Sequence, residues 1–577
     1  AQELLAEGKI VAIKGLGGFH LACDAQNTAA VEELRRRKMR SDKPFALMMP
    51  ELDTIRQNCC VSPAEAALLE SHQRPIVLLD RLPGSRIATN VAPNQKTLGV
   101  MLPYTPLHYL LFAPPPDGET QPVQILVMTS GNMSEEPIAT DNEEAERRLS
   151  VLADAFLMHD RPIHTRCDDS VIRLSPHHDR ILHIRRSRGY APSPLHLPWK
   201  APPLLAAGPE LKNTFCLVRD SYAFMSHHIG DMQNYETLQS YESSIEHYER
   251  LFRIRPEALA YDLHPDYLAT RYALTRASGQ GLPALGIQHH HAHIAACMVD
   301  NGLDGSQPVI GISFDGTGYG SDGHIWGGEF LIADYLGFRR AAHLSYLPLP
   351  GGDSAILCPA RIALAYLWHT GMDWQPELPP VDAMCVADRS ILRAQLNHNI
   401  NTPLTSSMGR LFDAVAALIG IRQLVNYEAQ AAIELENLVD PDVMTAYHFD
   451  LPVWDHLPPA GGFELSPKPL LEEVIEDFLA GKPLPLIAAR FHNGITALVL
   501  EVCLGLRQLY GIKEVALSGG VWQNKTLLCK ALPLLEDNGF IVYTHLNVPP
   551  NDGGIALGQA AIAAQLIKSS EQPKSNT

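Results

Sequence analysis

Two consecutive α/β domains, the second large enough for two lobes, are what this 577-residue sequence predicts. Three observations carry that expectation. Short apolar runs alternate with helical stretches through the first third of the chain. A proline-rich break follows at residues 190–203. Beyond it the alternation resumes, and several strand-like runs end in Asp-Gly or Gly-Gly. Alternation of this kind is the pattern of sheets covered by helices.

In the first domain, residues 1–189, the runs IVAIKGL, PFALMM, RPIVLL and QILVMTS read as strands, and NTAAVEELRRRKM reads as a helix. YAPSPLHLPWKAPP holds five prolines, which disfavour helix and central strand, so residues 190–203 read as a linker. The second domain, residues 204–567, opens its sheet with PVIGISF and EVALSGG. Its helical candidates are RIALAYLWH, RLFDAVAALIG and GITALVLEVCLGLRQLYG. Roughly 360 residues exceed what one core usually organises, hence two lobes. The polar end, residues 568–577, reads as a disordered tail.

Composition narrows the function. Hydrophobic residues make up 46% and charged residues 19%, an ordinary globular balance. A formal net charge of −18 argues against a general binder of nucleic acid or anionic membrane, while leaving room for a local basic cleft. No apolar run reads as long enough to span a bilayer, and the start lacks the regions of a signal peptide. The chain opens without Met and enters a strand-like run at Ile10, which reads as a start at an internal domain boundary. Ten scattered cysteines without a C-x-x-C pair read as a reducing, cytoplasmic setting.

Several residue clusters can carry chemistry. Lys38 and Arg40 alternate after the first helix, and alternate residues of extended chain project to one side, where they can hold a polyanion. A solvated basic helix end is the plainer reading. Thr129, Ser130, Gly131 and Asn132 end a strand with small polar groups suited to phosphate, or form a capped turn. IQHHHAHIAACM holds four histidines in five residues. In a helix, His289 and His293 share one face and can share a metal, while His290 and His291 point elsewhere with structural roles. Asp315 and Gly316 after PVIGISF, and Asp552 before Gly553 and Gly554, can approach phosphate or a cation, or make simple turns. Gly519 and Gly520 sit between a strand and a helix, a place for a base or ribose.

Lys38-x-Arg40 ahead of KPFALM, together with Ser130-x-Asn132 within TSGN, resembles the YrdC-like family. The segments DDSV and RRSRG, with Ser170, Arg186 and Arg188, are similar to that family's nucleotide-binding end. The resemblance implies an open twisted sheet that makes a carbamoyl-type adenylate from ATP with Mg2+. Lys38 and Arg40 would then offset the repulsion between a carbamate oxygen and the α-phosphate.

The second half resembles the TsaD-like family, which implies a two-lobed actin-like fold. On that resemblance His289, His293 and Asp552 hold one metal, for which two histidines and an aspartate suit Zn or Fe. Asp315 with Gly316 matches a phosphate loop, Gly519 and Gly520 line the nucleotide, and Gly409 and Asp413 of SMGRLFDAV add contacts to it. The first phosphate loop departs from the pattern. LLAAGPELKN has no Asp but offers Lys212, which suits stabilisation of a carbamoyl oxyanion rather than actin-type hydrolysis.

The two in this order resemble the carbamoyltransferases of [NiFe] hydrogenase maturation. That implies carbamoyl phosphate or carbamate as the source and the C-terminal cysteine of HypE as acceptor. The thiocarboxamide formed there leads to the cyanide ligand on iron. Members of that family begin with an acylphosphatase-like domain and a zinc-finger region, neither of which is in this sequence. The stretch is therefore expected not to cleave carbamoyl phosphate by itself. Neither a membrane nor a nucleic acid is expected as a partner. A fused tRNA threonylcarbamoyladenosine synthase and a small-molecule O-carbamoyltransferase are the alternative enzymes, separable by acceptor. A non-catalytic nucleotide-binding scaffold would bind nucleotide without ATP–pyrophosphate exchange. A reactive carbamoyl adenylate favours an enclosed passage, so the cleft around Lys38 is expected to face the metal site.

Overall fold

The computed structural model describes residues 1–114, 122–133, 136–175 and 179–571. The first domain is a nine-stranded mixed sheet. The expected runs form Val11–Lys14, Ala46–Met48, Ile76–Asp80 and Leu126–Ser130. Leu126–Ser130 lies between Phe19–Asp24 and Ala46–Met48, antiparallel to both. Helix Thr28–Lys38 is capped by Asn27, whose side chain accepts from the amides of Ala29 and Ala30. Its apolar face buries Val31 and Leu34 beside Phe45 and Val127. It stops where Met39 turns left-handed at φ +50°, an uncommon conformation for a side chain with a Cβ. That turn delivers Lys38 and Arg40 to the end of the Leu126–Ser130 strand.

Residues 190–203, expected as a linker, are not a free tether. Leu195–Ala206 is a strand, antiparallel to Cys216–Met225 and parallel to Ala258–Asp262. Proline is accommodated because the register slips between His196 and Ala201 and again between Ala201 and Leu204, where missing amide donors cost little. Ala284–Ile287 completes this four-stranded sheet.

The second sheet of this half is built around Val309–Tyr319, flanked by Ile325–Ala333 and by Glu514–Ser518. Ile310 to Ser313 run parallel to Val515 to Ser518 in register, which places the residues after both runs side by side. The turn expected at Asp315 is instead a break in register, between Phe314 and Gly318, within a strand that continues.

Helix His289–Asp300 is buried on nearly every face and meets helix Ile555–Glu571 backbone to backbone. A Cβ on Gly558 would lie 1.8 Å from the Ala292 carbonyl, so only glycine permits this approach. The contact fixes His289 and His293 against the turn that opens the last helix. That helix reaches Glu571, so residues 568–571 are helical where a disordered tail was expected; residues 572–577 lie outside the described residues. The helical candidate GITALVLEVCLGLRQLYG starts ten residues earlier than expected, as helix Leu484–Tyr510. Contrary to expectation it is long and apolar enough to cross a bilayer, but 67% of its most apolar window is buried inside the fold, as a core helix requires.

Candidate active sites

The first site gathers at the end of the Leu126–Ser130 strand. Lys38 Nζ donates to the carbonyls of Ser130 and Asn132, each at 2.7 Å, and to Asn132 Oδ1 at 2.9 Å. Ser130 Oγ donates to the same Asn132 oxygen at 2.7 Å. The two halves of the expected motif are therefore one hydrogen-bonded unit. Arg40 donates to Thr129 Oγ1 at 3.3 Å and to the Lys43 and Pro44 carbonyls, and its guanidinium lies over the Phe45 ring. Burial, and then the charge of Arg40, push the Lys38 ammonium down to about 7. Lys43 is pushed down to about 8 by burial and then by Arg40 and Arg185. Arg40 is pushed down to about 9 as well, by burial and then by Arg35 and Arg185; three depressed cations with Arg185 beside them make a site that a polyphosphate would relieve.

The second site forms around the two histidines. Ligand atoms of His289, His293, Asp315 and Asp552 lie within 4.8 Å of one another, and all four residues are buried. His293 Nε2 is 3.0 Å from Asp315 Oδ2 and 3.8 Å from Asp552 Oδ1. His289 Nδ1 bonds Asp262 Oδ2 at 2.8 Å, which turns its Nε2 toward the same point. That Nε2 is buried without a hydrogen-bond partner. Burial and the charge of Asp315 push the Asp552 carboxyl up to about 8. Against its burial, Asp315 is held well below the usual carboxylate range by His289 and His293. Two buried carboxylates and two inward imidazole nitrogens, one of them orphaned, form a donor set that fits a transition-metal cation. Asp315 thus joins the three ligands expected from sequence. His290 and His291 point elsewhere, His290 to Gln288 at 3.2 Å and His291 to the Asp334 carbonyl at 2.6 Å.

Glycines pack close around Asp315. Its Oδ1 accepts from the amides of Gly316 at 2.8 Å and Gly520 at 3.2 Å. Gly519 holds φ +101°, with a Cβ position only 2.2 Å from the Phe314 carbonyl, and a Cβ on Gly409 would lie 2.9 Å from Gly316 Cα. Asp413 pairs with Arg410 at 2.8 Å, and burial raises its carboxyl to about 6. Lys212, in a left-handed turn at φ +48°, pairs with Glu428, while its amide bonds Asp231 Oδ1 at 2.7 Å. Although burial opposes it, Glu428 and Asp552 hold the Lys212 ammonium above its ordinary value.

Comparison with known proteins decides the family. A family model described as "Carbamoyltransferase, Kae1-like Domain, second subdomain" matches residues 311–559, one described as "HypF Kae1-like domain" matches 200–300, and the Sua5/YciO/YrdC model, described as "Telomere recombination", matches 3–187. Carbamoyltransferase HypF2 of Cupriavidus necator is 43% identical over 97% of this chain and 72% of its own length. Carbamoyltransferase HypF of Rhodobacter capsulatus is 42% identical over 99% of this chain and 73% of its own. This chain belongs to the HypF carbamoyltransferase family. It is an enzyme of that class, with a YrdC-like domain followed by a Kae1-like, that is TsaD-type, domain. A crystal structure of full-length HypF in the phosphate- and nucleotide-bound form superposes with a TM-score of 0.91 at 43% identity, covering 100% of this chain and 87% of that one. The HypF of T. kodakarensis superposes at 0.88 with 34% identity, covering 98% of this chain and 74% of that one.

Within this HypF-family frame, Ser170 of DDSV and Arg186 and Arg188 of RRSRG are bound internally. Ser170 Oγ donates to the Arg188 carbonyl at 2.9 Å and accepts from the Ser187 amide at 2.8 Å. Arg188 bonds Asp169 at 2.7 Å and the carbonyls of Gln73 and Arg74, with Tyr104 beneath it. Arg186 is committed to the carbonyls of Tyr190 and Ser193. The side chains of all three are therefore engaged within the protein. Arg185, which sequence reasoning passed over, is the member of that segment within electrostatic reach of Arg40 and Lys43. Lys43, Asp42 and Glu428 were also missed; only the short basic run KMRSDK hinted at the first two.

The two sites adjoin. Asp42 Oδ2 accepts from Asn426 at 2.6 Å and Gln430 at 3.1 Å, both from the second domain. Tyr427 and Asn437 bond Gln95 of the first domain at 3.2 Å each. Lys43 feels the charges of Asp231 and Glu428, the two partners of Lys212. Glu428 itself keeps 57% of its side-chain surface accessible.

Proposed function

We propose that this chain performs the activation and transfer steps of a carbamoyltransferase of [NiFe] hydrogenase maturation. The observation that carries the reading is the adjacency, in one chain, of a cationic cleft around the buried Lys38 and a four-residue candidate metal site. In the first step a carbamate oxygen attacks the α-phosphorus of ATP, brought with Mg2+, and pyrophosphate leaves. Lys38 and Arg40 offset the repulsion between the two anions, with Lys43 and Arg185 adding field from the rim. Ser130 and Asn132 fix the Lys38 ammonium. Carbamate derives from carbamoyl phosphate in the full-length protein.

In the second step a cysteine thiolate at the C-terminus of HypE attacks the carbamoyl carbon, and AMP leaves with the bonding pair. Lys212 meets the charge that grows on the carbamoyl oxygen. Gly316, Gly409, Gly519 and Gly520 give a nucleotide close backbone approach. His289, His293, Asp315 and Asp552 would hold Zn or Fe, which when bound supplies a fixed positive charge for an anionic ligand. The structure of a HypF with phosphate and nucleotide bound supports nucleotide binding in this reading. The contacts through Asp42 support direct passage between the sites. Mass spectrometry of HypE after incubation with the full-length protein, ATP and carbamoyl phosphate tests the function. One added carbamoyl group on the C-terminal cysteine is expected; unmodified HypE, with ATP nonetheless consumed, would overturn the acceptor assignment.

A further inference from the structure

His289 has its outer nitrogen fixed by Asp262, a carboxylate. Among the described residues, no such carboxylate stands at the outer nitrogen of His293. What faces it is Ser518, whose Oγ lies 3.4 Å from His293 Nδ1. Ser518 is the last residue of strand Glu514–Ser518 and is wholly buried. Its Oγ also lies 2.8 Å from His545 Nε2 and 3.4 Å from the Pro550 carbonyl. His545 comes from the segment between strand Ile541–Tyr543 and Asp552, and it too is buried.

We propose that Ser518 and His545 are positioning residues that fix the tautomer and rotation of His293, so that its Nε2 faces the metal site. The inference rests on the metal-site reading above. A serine hydroxyl has one proton to give and can also accept. Its shorter contact is with His545 Nε2, so the proton goes there. The hydroxyl oxygen then accepts from His293 Nδ1–H, and His293 Nε2 keeps its lone pair for a cation. The same logic leaves the His545 proton on Nδ1, which lies 3.9 Å from Asp300 Oδ2 and is otherwise without a hydrogen-bond partner. Asp300 is itself anchored, accepting from the amides of Leu546 at 2.7 Å and Asn547 at 2.9 Å, the two residues that follow His545. The segment that carries His545 is braced from the first domain as well, because Asn551 Nδ2 donates to the Ile184 carbonyl at 3.1 Å. Outer partners of metal-bound histidines set ring orientation and ligand basicity. Here one histidine has a carboxylate and the other a hydroxyl–imidazole pair.

The test is zinc affinity of the full-length protein, measured by competition with a chromophoric chelator, with the Co2+ ligand-field spectrum as a report on geometry. Ser518→Ala and His545→Leu should each bind Zn2+ about 10- to 100-fold more weakly than wild type. His545→Gln keeps an acceptor near the Nε2 position and should restore affinity to within a few-fold and the Co2+ spectrum to the wild-type form. Thermal unfolding of the metal-free proteins separates folding from ligation; Ser518→Ala removes one buried oxygen, so it decides the matter if His545→Leu fails to fold. Wild-type zinc affinity in Ser518→Ala would overturn the proposal, as would a His545→Gln protein that is as weak a zinc binder as His545→Leu at equal metal-free stability. A wild-type protein that takes no more Zn2+ than the His289→Ala, His293→Ala variant would instead overturn the metal site itself.

Discussion

Asp42, two residues beyond Arg40, bonds Asn426 at 2.6 Å across the boundary between the two domains. Two positions further along the second-domain segment stands Glu428, the partner of Lys212. One short segment therefore touches both the rim of the first cleft and the cation of the second site. Asp42→Ala leaves Arg40 and Lys38 in place but frees this brace. Transfer to HypE should fall about tenfold, worth ~1.4 kcal/mol, while ATP–pyrophosphate exchange stays near wild type. The measurement is the number of AMP formed per carbamoyl group transferred, which should rise. An unchanged ratio would show that Asp42 only holds the surfaces together.

Lys38 carries a pH dependence with a definite sign. Its ammonium is pushed from 10.5 down to about 7 in the free protein, and a bound polyphosphate would raise it again. Below about pH 7 the charge is already present and ATP affinity is flat. Above it, binding must take up a proton, so affinity falls as pH rises, by at most about tenfold per unit. Calorimetry in buffers of different ionisation enthalpy should show that uptake in wild type and not in Lys38→Arg. Lys38→Ala should lower carbamoyl-phosphate-dependent ATP–pyrophosphate exchange by roughly 100- to 1000-fold while metal content is kept.

Removing the histidines should separate the steps in the opposite way. His293→Ala is expected to lower metal content and transfer while sparing exchange. Elemental analysis of the His289→Ala, His293→Ala protein should find little metal, and full occupancy would refute the ligand assignment.

Lys212 is braced by Glu428 and Asp231 and sits beside the Asp552 turn. Lys212→Met should lower transfer by roughly 100- to 1000-fold with metal content and exchange intact. If exchange is lost instead, Lys212 serves the first site and the division of labour proposed here is wrong.

Much of this was legible in the sequence, for identifiable reasons. Apolar runs ending in small polar residues located the strand Leu126–Ser130 and its Ser130–Asn132 end. The i, i+4 spacing located His289 and His293, because helix geometry alone puts them on one face. Asp315 was read as a phosphate-loop residue. Its place beside His289 and His293 came from the packing of its strand against their helix, which no local pattern encodes. Asp262, Ser518 and His545 reach the histidines from separate elements, again through long-range packing. The prolines of residues 190–203 misled, since register slips let them lie in a paired strand. Glu428 carries no local signal; only the fold sets it against Lys212.

The central claim is that one chain both activates the carbamoyl group and passes it on without releasing it. Mixing full-length Lys38→Ala protein, impaired in the first site, with full-length His293→Ala protein, impaired in the second, tests this directly. HypE, ATP and carbamoyl phosphate are added, and carbamoylation of the HypE cysteine is followed by mass spectrometry. The account predicts that the mixture transfers little more than the sum of the two variants alone. Transfer approaching that of wild type would mean that the intermediate leaves one molecule and is used by another, and would contradict it.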